Sequence, residues 1–158
     1  MIISLNISTT AIMQEIYATS ALRCLNQGGT HRPAILTRDQ GAALALLIKD
    51  AFAFIVMKII PHVERCPSFE PSTDDNQSSP GILSIDLHLP QSVTASVTSA
   101  MCVALQHAIA NYALHICYIN HNSKDSSHYL DIANSEVNTL LQLLTADVYT
   151  PVTITPQY

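Results

Sequence analysis

The sequence predicts a mainly α-helical domain, organised like a four-helix bundle, with a small β-hairpin before the third helix and an extended C-terminal arm. Three observations support this fold class. Apolar residues recur at helical spacing in four segments, an alternating segment precedes the third of them, and proline-containing stretches flank the hairpin and the C-terminal end. A chain of 158 residues can bury one core of its own. We expect one helical domain over residues 1–147 and an arm over residues 148–158.

The first helix is expected to follow a short extended segment. Residues 2–7 alternate between apolar and polar side chains, which is typical of an arm or an edge strand. The hydroxyl residues 8–10 can cap a helix because their oxygens accept unpaired helical amides. This helix is expected over residues 11–26. The sequence QGG that follows, residues 27–29, supplies a stop.

The second helix is expected to begin at a capping box formed by Thr37 and Gln40. It should end or kink at Pro61, because proline lacks the amide that a helix needs. Its body, GAALALLIKDAFAFIVMKII, is apolar on nearly every side. Such a helix usually lies in the centre of its bundle or assembly.

The hairpin is predicted from the alternating sequence ILSIDLHL, in which Leu83, Ile85 and Leu87 share one side. We expect a half-buried strand that pairs antiparallel with residues 66–70 or with another chain, so that the hairpin covers about residues 66–89. An isolated hairpin is only marginally stable. It should therefore pack on the helices or pair with a neighbouring subunit, and an unpaired edge would suit strand addition between subunits.

The third and fourth helices are predicted to form an antiparallel pair. The third should open at Pro90 and Ser92 and run to about Ile119, because apolar residues step by three or four throughout. The polar sequence NHNSKDSS then makes a turn, with Ser126 or Ser127 as the cap of the fourth helix. A short turn between two long helices predicts a helical hairpin.

The composition limits the classes of partner. Apolar residues make up 48% of the chain and charged residues only 12%, so uncharged surface must be covered by partners or by a bilayer. The formal net charge is -5 and the basic residues are scattered, which argues against nucleic-acid binding. The N-terminal residues lack the features of a secretion signal.

A membrane span and a metal site are both disfavoured in the long uncharged stretch between Asp86 and Lys124. Polar residues interrupt the stretch, and buried polar side chains are costly in hydrocarbon. Its His107 and His115 are eight residues apart, about 12 Å along a helix, too far to share one zinc ion. Nearby His121 and His128 could converge, but no fixed ligand spacing supports a site there. We expect no metal and no membrane contact.

No catalytic signature is present either. The sequence contains no GxSxG elbow and no glycine-rich phosphate loop. Cys66 and His62 would sit one turn apart at the end of the second helix, where the helix dipole does not favour a thiolate. The four cysteines show no CxxC pair, so we expect buried, reduced thiols, no cofactor and no enzymatic activity.

The segment HAIANYALHICYINHNSKDSSHYLDIANSEVNTLLQLL, residues 107–144, resembles the C-terminal helical hairpin of small phage head-to-tail connector or adaptor subunits. The likeness consists of a helix with Ala and Tyr, a short polar turn with an acid, and a second helix that opens near Tyr129. The chain differs from that family in the few charges on its fourth helix and in the β-like insertion before its third. The resemblance implies a non-enzymatic subunit that forms rings and clasps neighbours with loops and terminal arms.

We therefore expect a non-enzymatic structural subunit of a homo-oligomer, most plausibly a phage or prophage virion connector or neck or tail ring protein, assembled in the bacterial cytoplasm. The alternative interpretation is a cytoplasmic, soluble oligomeric helical module that binds a small molecule or a protein partner. Expected partners are other copies of the chain and neighbouring structural proteins. The residues expected at a partner interface are Leu83, Ile85, Leu87, Val148, Tyr149, Val152, Ile154 and Tyr158.

Overall fold

A computed structural model describes residues 1–26, 36, 40–70, 81–89 and 94–146 of the chain. Its elements, in order, are β1 (Ile2–Ser8), α1 (Thr9–Asn26), α2 (Gly41–Lys58), a 3₁₀ turn (Ile60–His62), β2 (Val63–Glu70), β3 (Ile82–His88), α3 (Ala95–Tyr118) and α4 (Ser123–Thr145). The described residues thus form four helices and three strands. The predicted class, mainly α with a small β element, is confirmed.

The three strands form one antiparallel sheet in the order β1-β3-β2. The extended N-terminal segment is an edge strand of this sheet, and its register with β3 runs from Ile2 opposite His88 to Ser8 opposite Ile82. On the outer face, the Ser4 hydroxyl donates to Oδ1 of Asp86 at 2.6 Å. Alternation along β1 and β3 leaves this face mostly polar and turns the buried apolar side chains towards the helices.

The placement of β3 changes the expectation for Leu83, Ile85 and Leu87. These three side chains are fully buried in the chain's own core, because β3 is the central strand and the helices cover its inner face. Because these side chains are buried, they are not available to a partner in this fold. The prediction that they form a partner interface is therefore wrong. The remaining predicted interface residues, Val148, Tyr149, Val152, Ile154 and Tyr158, lie outside the described residues.

The core lies between the sheet and the helices, with α3 at its centre. Helix α3 packs against α1, α2, α4 and β1. The sequence predicts that α2 is the central helix, but α2 is buried along only one side. Among the fully buried large side chains are Leu5, Ile12, Ile16, Ile48, Ile55, Leu83, Ile85, Leu87, Met101 and Leu105.

The starts of the last two helices differ from the predicted ones. Helix α3 begins at Ala95 with Thr94 as its N-cap residue, and the predicted openers Pro90 and Ser92 lie outside the described residues. Helix α4 begins at Ser123, so the prediction of a serine cap at 126 or 127 is wrong. Asn122 is the cap: its side-chain oxygen accepts from the amides of residues 124 and 125 at 3.1 and 3.4 Å.

The ends of α2 agree with the prediction on one side only. The helix ends at Lys58, ahead of Pro61, as expected from the missing proline amide. At its start, Gln40 is the N-cap residue and makes no side-chain capping bond, while Thr37 lies outside the described residues. The capping box therefore stays a prediction.

Candidate interaction surface

One buried ion pair joins the end of α1 to the start of α4. The carboxylate of Asp125 has only 2% of its side-chain surface exposed and accepts from Arg23, whose side chain is 37% exposed. Asn122 Nδ2 donates to the second carboxylate oxygen at 2.9 Å. Hydrogen bonding to Asp125 raises the pKa of Arg23 further above its ordinary value. The pair connects residues that are far apart in sequence, so its role is to hold α1 against the start of α4.

Two tyrosines close this cluster. The Tyr118 and Tyr129 rings lie 5.5 Å apart between their centroids, and the Tyr118 hydroxyl is 3.2 Å from the Ser20 hydroxyl. Burial raises the pKa of both tyrosines, so both phenols stay neutral at physiological pH. A buried group of hydrogen-bonded polar side chains of this kind, in which only Nε of Arg23 lacks a partner among the described residues, favours a single packing of α1 on the hairpin.

The contact between His115 and Ser126 resembles a nucleophile and base pair, but its geometry indicates a clamp. His115 Nδ1 lies 3.0 Å from the Ser126 carbonyl oxygen and 2.8 Å from the Ser126 hydroxyl. With a hydrogen on Nδ1, His115 donates to the Ser126 carbonyl, and the Ser126 hydroxyl donates to the His115 carbonyl at 3.2 Å. With the hydrogen on Nε2, Nδ1 instead accepts from the Ser126 hydroxyl. Both tautomers join α3 to α4 beside the turn.

The described residues do not gather a metal site. No group of three or more His, Cys, Asp or Glu side chains in the described ranges is placed to hold a metal ion. His107 instead lies 3.8 Å from Glu15, measured from Nε2 to Oε1. The Gln106 amide donates to the other oxygen of that carboxylate at 3.0 Å, which ties α3 to α1.

The cysteines have the environment of packed thiols in two cases. Burial raises the pKa of Cys102 and of Cys117, which disfavours the reactive thiolate at both positions. Cys66 is exposed on strand β2. The predicted geometry in which Cys66 and His62 share the end of a helix is therefore wrong, because the chain leaves the helical conformation after His62.

Helix α3 is the described helix that is long and apolar enough to cross a membrane. Half of its most apolar window is buried within the fold, as in the core helix of a globular protein. Several of its polar side chains also have partners inside the chain. Asn111 donates to the His107 carbonyl at 2.8 Å, while Gln106 and His115 make the contacts described above.

The most extensive exposed apolar feature lies on α2. Leu46 and Met57 are 66% and 63% exposed, and Ile60, in the turn that follows, is 61% exposed. Two alanines and an aspartate continue the same row. The positions in this row are separated alternately by three and by four residues. We call this set the α2 stripe; its members are Ala43, Leu46, Asp50, Ala53, Met57 and Ile60. This spacing is that of a coiled-coil seam.

Charged and aromatic side chains border the α2 stripe. Lys49 precedes Asp50, and both are exposed. Lys58 Nζ lies 4.9 Å from the centroid of the Phe54 ring, which stacks on Tyr112 of α3 with 4.1 Å between centroids. The aromatic stack holds the flank of α2 next to the stripe against α3. The backbone beneath the stripe is therefore supported by the core.

Other exposed apolar side chains are isolated or occur in pairs. They are Leu22 and Leu25 on α1, Val103 on α3, Ile119 after α3, and Met1, Ile2 and Ile82 on the sheet. Scattered single apolar residues are normal on protein surfaces, whereas a continuous row is a candidate contact. The α2 stripe is not among the surfaces predicted from the sequence, although its heptad spacing is visible in the residues.

Comparisons with known proteins add no relative. No protein-family model, no curated protein and no solved structure matches the chain.

Proposed function

We propose that the protein is a non-enzymatic structural subunit of a homo-oligomeric assembly. The observation that carries the proposal is the α2 stripe, in which three large apolar side chains stand in one row, each more than 60% exposed. Few charged side chains are available to compensate, because only 12% of the residues are charged. A row of this kind on a supported helix is typical of a surface that another protein covers.

The free energy available from burying the exposed side chains of the α2 stripe supports reversible association. Fully burying a Leu, Ile or Met side chain is worth roughly 1.5–3 kcal/mol, so the exposed part of each is worth roughly 1–2 kcal/mol. Three such side chains on each of two copies supply roughly 6–12 kcal/mol in total. The loss of free motion on association opposes this with an estimated 4–15 kcal/mol. The balance favours an association that depends on protein concentration and on further contacts in the assembly.

The polar clusters described above support a scaffold role. The Arg23–Asp125 pair, the His115–Ser126 clamp and the Glu15–Gln106 bond each join two helices. The polar groups of each contact are used to hold two helices together. These contacts suit a rigid subunit whose surfaces must keep their shape when neighbours bind.

In finer terms, we propose a phage or prophage virion component, a head-to-tail connector or a neck or tail ring protein. The support is the resemblance of residues 107–144, and these residues lie in the antiparallel α3–α4 pair with its tight polar turn. Portal, capsid and tail genes next to the coding sequence would support this identity. A neighbourhood of unrelated metabolic genes would contradict it.

The test of the broader proposal is the mass of the purified protein in solution. Light scattering coupled to size exclusion, repeated over a wide range of concentration, should show dimers or larger species that dissociate on dilution. Electron microscopy of the largest species would then show whether they are rings. A monomer at every concentration would contradict the proposal, and it would equally contradict the alternative of a soluble oligomeric binding module.

A further inference from the structure

We propose that the α2 stripe binds the same stripe of a second copy, with the two helices antiparallel about a two-fold axis. This inference rests on the proposed self-assembly and assigns one two-fold contact in it; a ring would require a second, heterologous contact. The axis would pass at the level of Ala51 and Phe52, whose own side chains are buried on the opposite side of the helix. Such a contact is isologous, because the same patch serves both copies.

The stripe is self-complementary in one antiparallel register. That register sets Leu46 opposite Met57 of the second copy, and Ala43 opposite Ile60. It also sets Asp50 opposite Ala53, and the two-fold axis repeats every pair. The Leu46–Met57 layer then contains two large side chains. In each of the other two layers an alanine faces a larger side chain. The layers formed by Leu46, Asp50, Ala53 and Met57 lie within α2 and share one register, which is the condition for knobs-into-holes packing along a seam. Ile60 lies in the turn after the helix and extends the contact beyond that seam.

The charges on α2 select the antiparallel arrangement. In a parallel, in-register pair, Asp50 would face Asp50 inside the contact, and like charges there are unfavourable. In the antiparallel register Asp50 faces Ala53, and Lys49 of the second copy lies four residues from that point. Four residues correspond to about 6 Å along a helix, a distance that a lysine side chain spans. Two symmetric Asp50–Lys49 pairs would therefore form. Both side chains are exposed in one copy, where Lys49 Nζ lies 5.7 Å from the centroid of the Phe69 ring and would turn from that ring towards Asp50.

The contact is small. A helix of 18 residues is about 27 Å long, and one helix pair covers less than the roughly 800 Å² per partner of a standard interface. The pair should therefore dissociate on dilution when no other contact assists it. This expectation makes the affinity measurable, so single substitutions can be ranked by their dissociation constants.

The first experiment compares Met57→Asp with a matched control. Val103→Asp introduces the same charge at another half-exposed apolar position, on α3 and away from the stripe. Sedimentation velocity of the full-length chain should show dimers that Met57→Asp weakens by about tenfold or more, while Val103→Asp leaves the dissociation constant within about twofold. Circular dichroism of both variants checks that the helix content is kept.

The outcomes separate this inference from the broader proposal. If the wild type never associates, the proposed self-assembly fails and this inference with it. If the wild type associates and Met57→Asp associates equally well, self-assembly stands and the α2 stripe is excluded as its surface. If the wild type is monomeric and a chain without residues 148–158 associates, the C-terminal segment occupies the stripe, and pairing in the intact protein is overturned.

The second experiment tests the antiparallel register by disulfide formation. In a Cys66→Ser background, which removes the exposed thiol on β2, Leu46→Cys protein is mixed with Met57→Cys protein under oxidation. The predicted product is a cross-link between positions 46 and 57. Leu46→Cys alone should cross-link poorly, because its two copies would lie about 16 Å apart along the axis and a disulfide needs Cα atoms within about 7 Å. A dominant 46–46 product would overturn the antiparallel register.

A charge exchange tests the Asp50–Lys49 pairs separately. Asp50→Lys should weaken the dimer several-fold, because two like charges replace each opposite pair. The double variant Lys49→Asp with Asp50→Lys restores opposite charges and should recover most of the affinity. Equal affinities for the single and the double variant would overturn the assigned pairs.

Discussion

The ion pair between Arg23 and Asp125 predicts how firmly α1 holds the start of α4. The perturbation is Arg23→Met, which keeps most of the side-chain length and removes the charge. Removing one partner of a fully buried ion pair destabilises a protein by about 3–5 kcal/mol. Asp125 meets that condition at 2% exposure, but Arg23 is 37% exposed, so water already solvates part of the guanidinium and would enter when it is removed.

Two features of the structure reduce the expected loss further. Asn122 still donates to Asp125 in the variant and keeps part of the carboxylate satisfied. The Nε atom of Arg23 is buried and has no hydrogen-bond partner among the described residues, so the substitution also removes an unsatisfied group worth about 1 kcal/mol. We expect Arg23→Met to lower the free energy of unfolding by about 1–2 kcal/mol. In a chain of this size that corresponds to a fall in Tm of about 3–6 °C.

The assay is urea unfolding followed by circular dichroism. It should be run in the Met57→Asp background, so that self-association does not add to the apparent stability. Lys124→Met is the control, because Lys124 is an exposed cation next to Asp125 in sequence, and its loss should change the free energy by less than about 0.5 kcal/mol. Equal effects of the two substitutions, or no effect of Arg23→Met, would refute the assigned role of the pair.

Three further predictions concern stability. Burial raises the pKa of Tyr118 and of Tyr129, so above about pH 10 the unfolded chain releases phenolic protons that the folded chain still holds. The contribution of the two neutral phenols to the free energy of unfolding is complete below that pH and is lost as the pH rises further. The urea midpoint should therefore fall above that pH and fall less in Tyr129→Phe; an identical pH dependence would contradict the assignment. Asn122→Ala should cost about 2–4 kcal/mol, because it removes both the N-cap and a hydrogen bond to the buried Asp125 carboxylate. Ser127→Ala should be nearly neutral in the same assay, and the reverse order would favour a serine as the cap of α4. Leu105→Ala should cost about 2–5 kcal/mol because the side chain is fully buried, and a loss below about 1 kcal/mol would contradict its place in the core.

The helices and the hairpin could be predicted because their signals are local. Apolar spacing of three and four identifies a helix and alternation identifies a strand, whatever the rest of the chain does. The starts of helices were harder to predict, because several residues nearby are able to cap. Asn122, Ser126 and Ser127 all qualify by type, and Asn122 is used because the tight turn after α3 ends there.

The surfaces could not be predicted from local patterns. Leu83 shows the same alternation whether its partner is a helix of its own chain or a second subunit, and only the packing of the helices on β3 decides between them. The face of α2 that stays exposed depends in the same way on which of its sides α1 and α3 cover. The Arg23–Asp125 pair joins positions 102 residues apart, so no local signal announces it. Contacts between distant residues are set by tertiary packing.

The central claim is that this chain assembles with itself through the α2 stripe. Sedimentation velocity of the wild type and of Met57→Asp, each at several concentrations, tests it most directly. The wild type should shift from monomer to dimer or larger species as concentration rises, and the Met57→Asp variant should stay monomeric over the same range with unchanged helix content. Superimposable sedimentation profiles for the two proteins would contradict it.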